Sequence, residues 1–234
     1  MIATKKLLTT AILSAMTLSF AVIPNAQADN HQADNHKTVH WGYEGSSSPR
    51  EWGKLSPEFA ACEVGHNQSP IDIHSVKEEP ISEPLDVNIE FNYQSAPLEV
   101  VNNGHTIQVN YAKGSSVKID GQKYELLQFH FHTPSEHTIE GKAYPMELHL
   151  VHQNRSGEYA VIGLLLEAGQ SNQLMKTIWA QIPKTGEVKT VRGIAIDVNS
   201  FLPTNHAYYS YQGSLTTPPC SEGVRWYVMK EPME

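Results

Sequence analysis

Hydrophobic and polar residues alternate with a period of two along much of this chain, the period of strands with one buried face. The alternation runs through DVNIEFNYQ (86–94), HTIQVNYA (105–112), YELLQFHFH (124–132) and MELHLVHQ (146–153). YAVIGLLLE (159–167) and VRWYVM (224–229) are further strand-like runs. NNGHT (Asn102–Thr106) stands between two strands and carries the Asn-Gly hairpin signal. One helix is predicted in SNQLMKTIWAQI (171–182). There Leu174, Met175, Ile178, Trp179 and Ile182 form an apolar stripe for the core, and Ser171 is the expected cap. The coarse class is mostly antiparallel β with minor helix. No low-complexity linker or break in composition follows His40, so one domain is expected.

The first 28 residues follow another pattern. Lys5 and Lys6 precede the apolar run LLTTAILSAMTLSFAVI, and Pro24 and the A-x-A of Ala26–Ala28 close it. This is the layout of a secretory signal peptide cut after Ala28. A membrane anchor fits less well, because small and hydroxyl residues dilute the run. Residues 29–39, opening on the near-repeat DNHQADNH, then form a polar tail, and residues 40–234 the domain. No other long apolar run follows, so the mature chain is expected in the periplasm or secreted, with no membrane span.

Charge narrows the partners. The full chain carries a formal net charge of −8, and loss of the leader removes two lysines and no acid, leaving −10. An acidic exported protein is a poor match for nucleic acid or anionic membrane, so the substrate is expected to be small. Cys62 and Cys220 are the only cysteines. In an oxidising compartment a disulfide between them is favoured over two buried free thiols.

The stretch QFHFHTPSEH (128–137) is where chemistry enters. Strand alternation puts Gln128, His130 and His132 on one face, and Phe129 and Phe131 on the other. Two imidazoles so placed can reach one metal ion, although an isolated H-x-H is a weak signal. MELHLVH strengthens it, because Glu147, His149 and Val151 share a face opposite Leu148, Leu150 and His152. If the strands are neighbours, His149 completes a three-histidine set, which leaves one tetrahedral position of Zn²⁺ open, as in catalytic sites. Gln128 and Glu147 are then placed to accept the rings' remaining N–H groups.

QFHFH, SEHT, ELHLVH and GSLTTPPC follow one another in that order, with HWGY and QSPIDI upstream and NNGHT between. From about His40 to Pro232 the chain closely resembles the alpha-class carbonic anhydrases. The resemblance implies an α+β fold built on a large twisted, mainly antiparallel sheet with a few short helices. It implies reversible hydration of carbon dioxide to bicarbonate and a proton, by attack of zinc-bound hydroxide. His130, His132 and His149 would bind Zn²⁺, backed by Gln128 and Glu147. Thr216 and Glu136 match the pair that orients the hydroxide, and Thr217 is a further polar group of the pocket. Val151, Val161, Leu215, Val224 and Trp226 would form the apolar site for carbon dioxide. His105 matches the proton shuttle, and Tyr43 the tyrosine that orders water on the proton path. Inhibition by sulfonamides and small anions is implied, and a homodimer is compatible with it. His40, His66, His74, His137, His152 and His206 read as structural or surface residues.

One departure stands out. The sequence stops at KEPME, where family members continue through a segment that adds strands and a backbone carbonyl for the His132 ring. Either the sequence is a fragment or the protein is truncated, and the stability of the domain and the orientation of His132 are what this departure puts in question. Two other readings are weaker. A cupin could use HFHTPSE with Glu136 on the metal, but its second motif needs glycine where Glu147 stands. A silent binding domain of the same family would typically have lost a zinc histidine, and all three are present.

Overall fold

A computed structural model of the chain describes residues 39–74, 88–170 and 172–234; the predicted signal peptide and residues 29–38 of the polar tail lie outside them. Among the described residues there are thirteen strands. They are β1 (Asp72–Ile73), β2 (Ile89–Asn92), β3 (Ala96–Asn102), β4 (Ile107–Asn110), β5 (Ser116–Ile119), β6 (Gln122–His132) and β7 (Thr138–Ile139). There follow β8 (Lys142–Ala143), β9 (Met146–Gln153), β10 (Tyr159–Leu166), β11 (Val188–Ile196), β12 (Tyr208–Ser214) and β13 (Glu222–Met229). Ten of them form one sheet in the order β11-β3-β4-β6-β9-β10-β13-β12, with β5 also on β6 and β2 on β5. All its pairs are antiparallel except β10 with β13, so the expected mainly antiparallel sheet is what forms. β1, β7 and β8 make a small separate sheet.

The long strand β6 organises the rest. Its first half pairs with β5 and its second half with β4, while β9 runs along the other edge. Pairing with β9 steps from Leu126↔His152 to Gln128↔Val151, so Leu127 has no partner and forms a bulge. The bulge shifts the alternation by one residue. Tyr124 and Leu126 before it, and Phe129 and Phe131 after it, therefore all enter the core, while Gln128, His130 and His132 turn to the opposite face.

The core face carries Leu98, Val100, Val109, Phe129, Leu148, Leu150, Ile162 and Leu164, all with no exposed surface. Burial of such a side chain contributes roughly 1.5–3 kcal/mol. Truncating Phe129 to alanine is expected to cost about 3–5 kcal/mol. The other face holds a second apolar cluster of Ile73, Val151, Val161, Leu165, Val224, Trp226 and Val228.

The helices are short: α1 (Trp52–Leu55), α2 (Ala61–Val64) and α3 (Gln173–Trp179). α3 is the predicted helix, with two corrections. Its cap is Asn172, whose side chain accepts hydrogen bonds from the N–H groups of Leu174 and Met175, while Ser171 lies outside the described residues. It also ends at Trp179, so Ile182 is past the helix and 40% exposed instead of core. Ile178 is fully buried, and Trp179 packs edge-on against Phe131.

Strands β1, β3, β5, β7, β8, β11 and β12 are not among the predicted runs. β11 is an edge strand with mostly exposed residues and an irregularity between Val191 and Ala195, so its alternation is faint. The predicted disulfide forms: Cys62 in α2 is bonded to Cys220 in the loop before β13, with Cα atoms 5.1 Å apart. Closing a loop across a sequence separation of 158 residues stabilises the fold by at most about 5 kcal/mol in the chain-entropy account. Among the described residues no helix is long and apolar enough to cross a membrane.

Candidate metal centre

Register assembles the site. In the β6–β9 pair His130 lies directly opposite His149, and His132 opposite Glu147. The three imidazole rings stand 4.6–5.2 Å apart between centroids, and a nitrogen from each lies within 4.8 Å of the others. The remaining nitrogens are engaged behind the site. His130 Nδ1 meets Gln128 Oε1 at 2.9 Å, and His149 Nε2 meets Glu147 Oε1 at 2.8 Å. His132 Nδ1 is 3.3 Å from Glu136 Oε1, so within this chain a carboxylate supports that ring.

These partners leave Nε2 of His130, Nε2 of His132 and Nδ1 of His149 for a shared ligand. His132 Nε2 is buried and has no hydrogen-bond partner among the described residues, an unusual state for a ring nitrogen unless it has a metal to meet. Burial, and then the charge of His149, pushes the pKa of His130 down to about 3. The same causes take His132 down to about 2. Both rings are therefore unprotonated at neutral pH, the state in which imidazole binds metal. Burial opposes a charge on His149 too, but the Glu147 carboxylate raises its pKa on balance, so this ring would give up a proton when a metal binds. Three imidazoles are a donor set that fits zinc with one position left open.

Two carboxyls with opposite behaviour flank the rings. Burial raises the pKa of Glu136 to about 7, although His149 and a hydrogen bond from Thr216 pull it down. Its Oε2 is buried, 3.9 Å from His149 Nδ1, without a hydrogen-bond partner of good geometry among the described residues. Burial opposes ionisation of Glu147 too, but the charge of His149 and hydrogen bonds from His137 and His149 hold its pKa well below the ordinary range. His137, Glu147 and His149 also lie close enough together for a metal, but their facing atoms are bonded to one another at 2.7 and 2.8 Å.

A cavity of about 280 Å³ opens over the rings. Gln128, His130, His149, Val151, Val161, Leu215, Thr216, Thr217 and Trp226 line it, together with Leu127 and Tyr159, which the sequence did not single out. Leu127 was signalled by the phase break in YELLQFHFH, whereas nothing in the sequence marks Tyr159. Val224 is buried in the apolar cluster behind this wall and is not among its lining residues. A larger cavity of about 690 Å³ has His132 and Glu136 in its wall, together with Tyr43 and His105. His105 stacks on Trp41 with centroids 3.8 Å apart and has His40 at 6.0 Å; burial, and then His40, lowers its pKa. Burial, with a contribution from Glu136, raises Tyr43 to about 12.

Comparison with known proteins agrees with this geometry. A family model described as eukaryotic-type carbonic anhydrase matches residues 47–234. A carbonic anhydrase of Nostoc sp. is 49% identical over 199 residues, which span 85% of this chain and 75% of that protein. A solved hyperthermostable carbonic anhydrase from an active hydrothermal vent chimney is 47% identical, covers 83% of this chain and 85% of its own, and superposes with a TM-score of 0.78. The alpha-carbonic anhydrase of Thermovibrio ammonificans, solved with the inhibitor sulfanilamide, is 45% identical, with coverages of 84% and 85% and a TM-score of 0.77. With its motifs in order, its sheet matched and three imidazoles converging on one point, the chain belongs to the alpha, or eukaryotic-type, carbonic anhydrase family.

Proposed function

We propose that His130 Nε2, His132 Nε2 and His149 Nδ1 hold the zinc ion with which this carbonic anhydrase hydrates carbon dioxide reversibly to bicarbonate and a proton. When bound, zinc lowers the pKa of a coordinated water and supplies hydroxide near neutral pH, an effect of which carbonic anhydrase is the type case. Gln128 and Glu147 fix the tautomers of His130 and His149 by accepting their outer N–H groups. Thr216 donates a hydrogen bond to Glu136, so its oxygen can only accept on the cleft side. That leaves a fixed acceptor facing the cleft in which carbon dioxide would sit. Val151, Val161, Leu215 and Trp226 offer the uncharged substrate an apolar wall, Val224 supports it from behind, and Thr217 is a further polar contact.

His105 takes the proton released in each cycle and passes it to buffer, with Tyr43 ordering the water between. Their shared place on the wall of the larger cavity supports this, as does an imidazole's titration range. Sulfonamides, the inhibitor class seen on the Thermovibrio relative, and small anions are proposed to bind at the open zinc position. The leader-like residues 1–28 and the Cys62–Cys220 disulfide support export to the periplasm or beyond.

The observation that carries the reading is the convergence of three nitrogens, one of them buried and unpartnered, beside an apolar cleft. Metal analysis with a stopped-flow hydration assay tests it. About one zinc per chain is expected, and His149→Ala is expected to lose both zinc and activity, because two imidazoles hold zinc poorly. Full activity in that variant would sink the three-histidine site.

A further inference from the structure

The hydrogen bonds behind the metal centre do not stop at Glu147. Its Oε2 accepts the backbone N–H groups of Glu136 and His137, each at 2.9 Å. Its Oε1 accepts His137 Nδ1–H at 2.7 Å and His149 Nε2–H at 2.8 Å. Four N–H groups fill the acceptor capacity of this carboxylate, so neither ring can exchange its donor nitrogen without breaking the set. His137 thus turns Nδ1 toward Glu147, and its Nε2 meets the Tyr211 hydroxyl at 2.6 Å.

The Tyr211 and Ser69 hydroxyls are 2.8 Å apart, and Ser69 Oγ also accepts the Ser214 N–H at 3.1 Å. Ser69 N–H returns a bond to Ser214 Oγ at 2.9 Å, and Ser214 Oγ donates to the Leu215 carbonyl at 2.8 Å. The run therefore ends next to Thr216. His137, Glu147 and Ser214 have no exposed surface, so water cannot replace a lost partner at those positions. The Tyr211 ring is stacked on Trp226, and a Cβ at Gly213 would collide with Ser69 Oγ, so a glycine there lets the serine approach.

We propose that Tyr211 and Ser69 are positioning residues of the metal centre, holding His149, through His137 and Glu147, in the tautomer that offers Nδ1 to zinc. This rests on the three-histidine reading above. Without the Tyr211 hydroxyl, His137 Nε2 is left unpartnered in the interior. The repair open to it is a ring flip or a change of tautomer, either of which surrenders a bond to Glu147. Glu147 can then turn, and His149 can carry its proton on Nδ1, where it blocks the metal.

Tyr211→Phe removes the hydroxyl and keeps the ring. Zinc affinity, measured by competition with a chelator, should fall about tenfold, the lower end of the range for groups bonded directly to a ligand. In ¹⁵N–¹H spectra of the metal-free chain, His149 should change from the Nε2–H tautomer to a mixture. Ser69→Ala should move both readouts the same way by less, and serves alone if the phenylalanine variant does not fold. A merely structural hydroxyl would lower the melting temperature of the metal-free protein and leave zinc affinity and tautomer unchanged. That outcome overturns the proposal, as does a native His149 protonated on Nδ1. Retention of zinc by His149→Ala would instead overturn the three-histidine reading itself.

Discussion

His152 should make this protein acid-labile by an amount that can be worked out. It lies on the core face of β9 with no exposed surface, its Nε2 2.9 Å from the Tyr93 hydroxyl and its Nδ1 3.3 Å from the Ala160 carbonyl. Burial lowers its pKa to about 4, although hydrogen bonds to the backbone of Ala160 and Leu150 resist the change. In the unfolded chain a histidine titrates near 6.5, so between the two values the unfolded state binds a proton that the native state refuses. Stability from this group is full above about pH 6.5 and is lost as pH falls toward 4. Each pH unit between the two values is worth about 1.36 kcal/mol, so the loss amounts to about 2 kcal/mol by pH 5 and about 3 kcal/mol in full. Urea unfolding of the zinc-free chain and of His152→Gln, from pH 7.5 to 5, measures it, because the other titrating groups are common to both and cancel. The native chain should lose about 2 kcal/mol more than the variant over that range. Parallel losses would show that His152 is not held neutral, and the reasoning from burial would be wrong.

Other expectations concern catalysis and processing. Thr216→Val keeps the shape but cannot accept a hydrogen bond, so hydration should slow on the order of 100-fold while zinc stays bound; unchanged turnover would remove Thr216 from the mechanism. His105→Ala should lower kcat in weak buffer and leave kcat/KM nearly untouched, with millimolar imidazole restoring much of the loss. Equal falls in both parameters, or no rescue, would end its role as shuttle. Export of the full chain should yield a mature protein starting at Asp29, as read by intact mass; a retained leader would point to an anchor.

The strand runs read at 146–153, 159–167 and 224–229, the hairpin signal at Asn102–Thr106 and the shared face of His130 and His132 were legible in the sequence, and they meet β9, β10, β13 and the β3–β4 turn. Side-chain alternation and turn chemistry act over a few residues, so they leave a local record. The family motifs are local too, which is why the three histidines could be named without coordinates. Edge strands β11 and β12 left little trace, since an exposed strand need not alternate in polarity. Other features exist only across long sequence separations. Leu127 is a bulge because β9 offers it no partner, and that mismatch is a property of the pair. His137 reads as an ordinary structural histidine until the sheet places Glu147 beside one of its nitrogens and Tyr211 beside the other. Ser69 and Tyr211, 142 residues apart, meet only because β12 lies against the segment that precedes β1. Local sequence chooses the strand and the face of a side chain, but register and the return of distant loops choose its partners, and in this protein partners determine which nitrogen each histidine offers.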